Sequence, residues 1–152
     1  MNWSLLDFIV AGVLVAILGV GGAIFFRLNR PVTYRLGFVF MIVGMVLLFW
    51  AGGAVGIIGD ENNSANLLYL LVMLTGVVGG VYTRFTDDGM MRTLVVMAIL
   101  QTTIGVAALT LGWGDTAARW PWDVIAATLG FDLVWLLGAG LFRSAKLGSS
   151  LA

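Results

Sequence analysis

Five apolar runs, each about twenty residues long, occupy most of this 152-residue chain and constrain its fold more than any other feature. A helix of about twenty residues crosses a hydrocarbon core ~30 Å thick, and none of these runs has the polar face typical of a water-soluble helix. We therefore predict an all-α polytopic membrane protein with five transmembrane helices, in which residues 1–152 form a single domain. The predicted spans are residues 5–26, 36–59, 66–85, 93–113 and 123–142.

Two alternatives concern individual runs. One run could lie as a re-entrant or interfacial segment instead of crossing the bilayer. The first run could also be a cleavable signal peptide, but its leader carries no positive charge and no small-residue cleavage site follows it. We expect it to be a retained helix.

Basic residues are distributed unevenly over the predicted connectors. Seven of the eight fall on one side of a five-span arrangement: Arg27, Arg30, Arg35, Arg84, Arg92, Arg143 and Lys146. Only Arg119 falls on the other side. Since Lys and Arg in short loops mark the cytoplasmic side, we predict an external N-terminus and a cytoplasmic C-terminus.

The residue types that the chain lacks exclude most classes of catalytic and cofactor-binding site. The chain has no Cys and no His, which removes thiol nucleophiles, the usual axial haem ligand and the commonest zinc ligand and general base. No Lys lies inside a predicted span, and eight basic residues balance eight acidic ones without a basic face. We expect no enzymatic activity, no cofactor, no metal site and no nucleic-acid partner.

Small residues recur at helical spacing within the predicted spans. In lipid, close contact between such residues drives helices together. The pattern fits either packing inside one bundle or association with another copy or another subunit. The residues are Gly12, Ala16, Gly19 and Ala23 in the first run, Gly37, Gly44, Gly52 and Gly56 in the second, Gly76 and Gly80 in the third, and Gly105 in the fourth.

One carboxylate, Asp132, lies near the middle of the fifth predicted span. Because a charge there is costly, the side chain should face protein or water. Gln101 lies at a similar depth on the antiparallel fourth span, about 14 Å from the basic side against about 16 Å for Asp132, at ~1.5 Å per residue. We predict a hydrogen-bonded clamp between protonated Asp132 and Gln101, with Thr102 and Thr128 nearby. A proton- or cation-responsive site in a transport path is the alternative.

A polar loop follows the second run and contains Asp60, Glu61, Asn62, Asn63 and Asn66. Its oxygen atoms are of the type that hard cations prefer, although the spacing does not match an EF-hand. The alternative is turn chemistry, in which Asn63 or Ser64 caps the third helix. The preceding glycines predict low helix stability at this rim.

The same segment carries a resemblance. The sequence Val55–Gly59, followed by Glu61, Asn63, Ala65, Asn66 and Tyr69, resembles a pattern in a family of small multi-spanning proteins of the bacterial inner membrane. That family has no established activity. The resemblance implies a location in a bacterial inner membrane and supplies no catalytic residue.

Two functions remain open at this stage. The first is a non-catalytic membrane protein that acts through helix association, as an accessory or assembly subunit or as a homo-oligomer. Its partners would be membrane lipids and either other membrane subunits or further copies of itself. The second is a small transporter or channel that uses Asp132, Gln101 and the acidic loop.

Overall fold

The computed structural model describes Gly22 and residues 30–149, and the regular elements of this part are all helical. They are α1 (Val32–Trp50), a π-helical turn (Ala51–Val55), a 3₁₀ turn (Ser64–Leu68), α2 (Tyr69–Tyr82), α3 (Asp87–Leu111) and α4 (Trp122–Ser149). Four helical stretches of the described part are long and apolar enough to cross a membrane: Val32–Val55, Ser64–Tyr82, Asp87–Leu111 and Trp122–Gly148. The all-helical class is confirmed, and these four helices are compatible with a multi-pass membrane protein.

The predicted first span lies outside the described residues, apart from Gly22. Its packing residues Gly12, Ala16, Gly19 and Ala23 lie outside them as well.

Three helices extend beyond the apolar runs that predicted them. α1 begins at Val32 instead of residue 36, directly after Pro31, and α4 continues to Ser149 instead of ending at residue 142. α3 begins at Asp87, six residues before the predicted start at residue 93. The predicted spans ended where charges begin, but a helix continues past the hydrocarbon region wherever its backbone bonds and caps allow.

The start of α3 shows how capping residues determine where a helix begins. The Thr86 hydroxyl accepts a hydrogen bond from the Gly89 N–H at 3.3 Å, so Thr86 is the N-cap. Asp87 and Asp88 follow in the first turn, where the helix dipole favours negative charge. A cap and two acids therefore start the helix well before its apolar part.

Two helices end at least three residues earlier than predicted, and α3 ends two residues early, at Leu111. The π turn after α1 stops at Gly56, which takes a φ of +76°, three residues before the predicted end at residue 59. α2 ends at Tyr82 instead of residue 85 because Arg84 and Phe85 take left-handed φ values of 51° and 54°. The Phe85 N–H donates to the Gly80 carbonyl at 2.9 Å and the Arg84 N–H to Val81 at 3.0 Å, which is the Schellman pattern.

Helix α4 is the centre of the described bundle. It packs extensively against both α3 and α1, while α2 packs mainly on α3 and touches α1 only slightly. The largest fully buried side chains, Trp135, Tyr34 and Phe142, lie at these junctions. Among the described residues, a gap is left between α1 and α2.

Glycines allow the close contact between α1 and α4. A Cβ on Gly44 would lie 2.6 Å from the Trp135 ring, and one on Gly37 would lie 3.1 Å from the Phe142 ring and 3.2 Å from the Gly138 carbonyl oxygen. Such spacing leaves no room for a side chain. Backbone-to-ring contact therefore replaces the hydrophobic drive that is absent in lipid.

The other glycines predicted to pack helices fall into three environments. Gly76 lies against Met97, with 3.0 Å between its built Cβ and the sulfur, and Gly80 lies against Phe85 at 2.9 Å. Gly52 is buried, yet no described atom lies within 4 Å of a built Cβ there. Gly56 is a turn residue, at which a Cβ would overlap the Asp60 backbone, so its predicted role in a helix interface is corrected.

Candidate functional site

Asn66 holds the polar loop between α1 and α2 in place. Its side chain is 8% exposed, and its Oδ1 accepts from the Ile57 and Ile58 N–H groups at 3.0 and 2.8 Å. Its Nδ2 donates to the Ile58 and Asp60 carbonyls at 3.3 and 2.8 Å. This single amide forms hydrogen bonds with backbone groups that have no helical partner where α1 ends. Near lipid, where water cannot pair with such groups, leaving them unpaired is especially costly. We call residues 56–66 the Asn66 loop.

Turn chemistry accounts for two more members of the loop. The Asn63 Oδ1 accepts from the Ala65 N–H at 3.0 Å and caps the 3₁₀ turn, as the helix-cap interpretation predicts. The Asp60 Oδ1 accepts from the Asn62 N–H at 2.9 Å. Glu61 and Asn62 are exposed. No group of three or more His, Cys, Asp or Glu side chains suited to a metal occurs in the described part of the chain.

The Asn66 loop packs against the loop between α3 and α4. A Cβ on Gly114, whose φ is +85°, would lie 2.6 Å from the Gly59 nitrogen, so the two backbones are in close contact. A cavity of about 510 Å³ opens beside this contact and includes Asp60, Asn63 and Thr116 in its lining. At this end of the bundle, the two loops are therefore in direct backbone contact.

Asp132 on α4 is half-buried, and its partner, the exposed Thr102 on α3, differs from the predicted one. The Thr102 hydroxyl donates to the Asp132 Oδ2 at 2.6 Å. The predicted hydrogen bond to Gln101 is absent, since neither side-chain atom of Gln101 has a partner among the described residues. The sequence predicted similar depths for Asp132 and Gln101, and Thr102 is the neighbour of Gln101 along α3. Adjacent side chains on a helix point about 100° apart, so two residues at nearly the same depth face different neighbours.

Gln101 belongs to a group of buried side chains with unsatisfied polar atoms. Gln101 and Trp135 are 0% exposed and Tyr69 is 2% exposed. Together with Thr128 and one oxygen of Asp132, these side chains have buried nitrogen or oxygen atoms without a hydrogen-bond partner within the described residues. We call the set the interior polar group: Tyr69, Gln101, Thr128, Asp132 and Trp135.

Two observations relate members of this group to neighbouring helices. The Thr128 side chain lies against Gly105, where a built Cβ would overlap its hydroxyl. The Tyr69 hydroxyl on α2 lies within electrostatic range of the Asp132 carboxyl on α4. Unsatisfied polar atoms inside a membrane bundle are costly, so the group marks a candidate functional region.

The opposite end of the bundle carries the basic residues. Lys146 and Arg92 both pair with Asp88, at 2.8 and 2.7 Å, and Arg30 approaches Asp87 at 3.5 Å. These pairs join α3, α4 and the short segment before α1. They are exposed enough that each contributes little to stability.

Tyr34 stabilises this basic end, a role that the sequence did not predict. Its side chain is fully buried and its hydroxyl donates to the Phe85 carbonyl at 2.6 Å, while the Phe142 ring stands edge-on 4.9 Å away. The Arg30 guanidinium lies 5.4 Å from the Tyr34 ring centroid. The available signal was an aromatic residue with a polar tip at the start of an apolar helix.

Comparisons of the chain with protein-family models, with curated proteins and with solved structures found no match in any of the three. Function is therefore inferred from the chain's own geometry.

Proposed function

We propose that this chain is a five-span protein of the bacterial inner membrane that acts without catalysis, through helix–helix association, as an accessory subunit or a homo-oligomer. The observation that carries the proposal is the outward face of α4. The opposite face of the same helix packs Trp135, Gly138 and Phe142 into the bundle. α4 therefore offers two packing surfaces, of which the described bundle uses one.

The outward face of α4 has the composition of a membrane helix interface. Small residues and leucines follow one another at steps of four and three, and all are exposed: Ala126, Gly130, Leu133, Leu137, Gly140 and Ser144. A built Cβ on Gly130 or Gly140 meets no atom of the described part of the chain within 4 Å. Small residues at this spacing let two helix backbones approach, which supplies the association energy in lipid.

Bulky replacement on this face tests the proposal. The Gly130→Leu and Gly140→Leu variants should lower the mass of the assembly extracted with its native lipids, measured by light scattering. Val106→Leu is the matched control, because it also enlarges an exposed residue, on α3 instead of α4. A Leu137→Cys variant in this cysteine-free chain should cross-link in the membrane and lose the cross-link when Gly140→Leu is added. A monomeric wild-type protein that carries no other subunit contradicts the proposal.

The proposed orientation has the N-terminus outside and the C-terminus in the cytoplasm. It is supported by the basic residues, since Arg30, Arg92 and Lys146 meet Asp87 and Asp88 at one end of the bundle and Arg119 lies in a loop at the other. A cysteine placed at Ser149 should resist an impermeant thiol reagent in intact spheroplasts. Labelling there, with no labelling of a cysteine at Asn62, reverses the orientation.

A second candidate function is solute or proton transport, and the interior polar group favours it. A transport path needs polar groups that the fold does not consume, and Gln101 and one Asp132 oxygen fit that description. Protein purified without partners and placed in liposomes would then move a solute or protons, and Asp132→Asn would stop the movement. Flux in such liposomes replaces the association proposal with this one.

A further inference from the structure

The hydrogen-bonded pair of Asp132 and Thr102 lies at the surface of the described bundle, near the middle of the apolar parts of α4 and α3. Asp132 is half-buried, Thr102 is exposed, and the bond between their side chains is on the exposed side. An acid at this depth in a membrane helix normally faces protein or a water-filled cavity, because lipid cannot solvate it. A polar pair at this position therefore calls for a partner.

The side chains around the pair are apolar and exposed. Ile99 on α3 and Leu129 and Leu136 on α4 each lie within about one helical turn of a member of the pair and are more than half exposed. We call Ile99, Thr102, Leu129, Asp132 and Leu136 the Asp132 face. Its apolar rim is suited to a membrane helix, and its centre is suited to a polar contact.

The two oxygens of the Asp132 carboxyl have different surroundings. Oδ1 is buried and has no hydrogen-bond partner among the described residues, whereas Oδ2 accepts from the Thr102 hydroxyl at 2.6 Å. The carboxyl therefore offers Oδ2 and the Thr102 hydroxyl to a helix that covers the face. A single hydroxyl cannot neutralise a carboxylate, and a carboxylate in apolar surroundings is stabilised best by a cation.

The sequence places no cation at the depth of Asp132. Along the two helices, the nearest basic residues are Arg143, eleven residues after Asp132, and Arg92, ten residues before Thr102. At ~1.5 Å per residue, these positions are about 15–16 Å away along the helix axes. The other basic residues lie in predicted connectors or near helix ends, and a second copy in the same orientation has its own at the same depths. A matching cation must therefore come from a different protein.

From these features we propose that the Asp132 face docks a transmembrane helix of another protein that carries a lysine or arginine at mid-depth. The basic group pairs with the Asp132 carboxylate at Oδ2, and the apolar rim packs against the rest of that helix. The inference rests on the proposed function and, of its two forms, selects the accessory subunit over the homo-oligomer.

The test uses two leucine-rich transmembrane peptides that differ only at the central residue, which is lysine in one and leucine in the other. Binding is measured in phosphatidylcholine vesicles by energy transfer from a dye on a Ser149→Cys variant to a dye on the peptide. The lysine peptide should bind about three- to thirtyfold more tightly, the range that corresponds to interhelical polar contacts.

Acid variants assign this preference to one residue. Asp132→Asn should remove the preference for the lysine peptide, because an amide carries no charge. Asp123→Asn is the matched control, since it removes an acid from the first turn of the same helix, outside the Asp132 face, and should keep the preference. If Asp132→Asn does not fold, as judged by circular dichroism and gel filtration, a peptide with a central glutamate keeps the test valid. That peptide should bind wild type more weakly than the leucine peptide does.

Cross-linking locates the bound peptide. A lysine peptide with a cysteine one turn from its centre should form a disulfide with Leu136→Cys on the Asp132 face. Leu74→Cys is the control, because Leu74 is similarly exposed but lies on α2, and it should not cross-link.

Three results overturn the proposal. Equal binding of the lysine and leucine peptides shows that the face does not select a cation. A preference that survives Asp132→Asn assigns the cation to another site. A high-yield disulfide between Leu136→Cys and Val15→Cys shows that the chain's own first apolar run covers the face. In each case, an assembly that still depends on Gly130 and Gly140 leaves the proposed association standing, so the two proposals fail separately.

Discussion

Asn66 and Gln101 are two buried side-chain amides in very different situations. Asn66, 8% exposed, makes four hydrogen bonds to the loop that it closes. Gln101, 0% exposed, makes none with the described residues. The fold uses the whole hydrogen-bonding capacity of the first amide and none of the second. Asn66 is therefore part of the scaffold, while Gln101 is available for a role that the fold does not require.

The difference originates in the backbone around each residue. The loop after α1 leaves the N–H groups of Ile57 and Ile58 without helical partners, and an asparagine in the first turn of the 3₁₀ segment can reach them. Gln101 lies in the middle of α3, where the backbone is already satisfied by the helix itself. A side-chain amide at such a position finds no unpaired backbone group to hydrogen-bond in its own helix.

The largest expected effect is the loss of stability in Asn66→Ala. Removing the amide leaves two buried N–H groups unsatisfied, each at about 1–3 kcal/mol, so we expect a loss of about 2–5 kcal/mol. Unfolding by SDS in mixed micelles, followed by circular dichroism, measures it. Asn62→Ala is the control, since Asn62 is exposed and should change stability by less than about 0.5 kcal/mol. If both variants lost the same small amount of stability, Asn66 would contribute no more to the fold than the exposed Asn62.

A second effect concerns how tightly the region around Gln101 is packed. Gly105→Ala, one turn from Gln101, introduces a methyl group that overlaps the Thr128 hydroxyl. Overpacking should cost about 1–3 kcal/mol in the same unfolding measurement. Gly130→Ala on the outward face of α4 is the control and should not destabilise, because the site is open and alanine is the better helix former. A neutral Gly105→Ala would indicate free space beside the interior polar group.

Hydropathy alone predicted the all-helical class and the helices α1 to α4, because apolar length is a property of the sequence. It failed at the ends, where single side chains decide: Thr86 starts α3 early and the left-handed Arg84 ends α2 early. The polar loop was identified, but the four hydrogen bonds of Asn66 depend on the path of the π turn. No pattern in the sequence reports that path.

The polar residues of the interior were found from the sequence, whereas their pairing was not. Asp132 and Gln101 were placed at the same depth, yet depth does not specify which side of a helix faces a neighbour. Tyr69 and Trp135 were missed because aromatic residues in apolar runs are normally packing residues, and their unsatisfied polar atoms become visible only in three dimensions.

A third, smaller effect concerns the pair that replaced the predicted clamp. Asp132→Leu should cost about 0.6–2 kcal/mol, the range of interhelical polar contacts, and Asp132→Asn should cost less because an amide still accepts from Thr102. A double-mutant cycle between Thr102→Val and Asp132→Leu should give a coupling energy of about 0.6 kcal/mol or more. The same cycle with Gln101→Leu should give almost none. Strong coupling to Gln101 instead would restore the predicted clamp.

The smallest expected effect is that of Gln101→Leu. Leucine has a similar volume, no described hydrogen bond is lost, and an unsatisfied buried amide is removed, so stability should stay within about 0.5 kcal/mol of wild type or increase. Asn66→Leu, measured in parallel, removes the same kind of group and should destabilise like Asn66→Ala. If Gln101→Leu instead costs more than about 1 kcal/mol, Gln101 forms a structural hydrogen bond, and the contrast with Asn66 fails. If it is neutral in stability yet stops flux in liposomes or changes the mass of the assembly, the interior polar group serves function instead of folding.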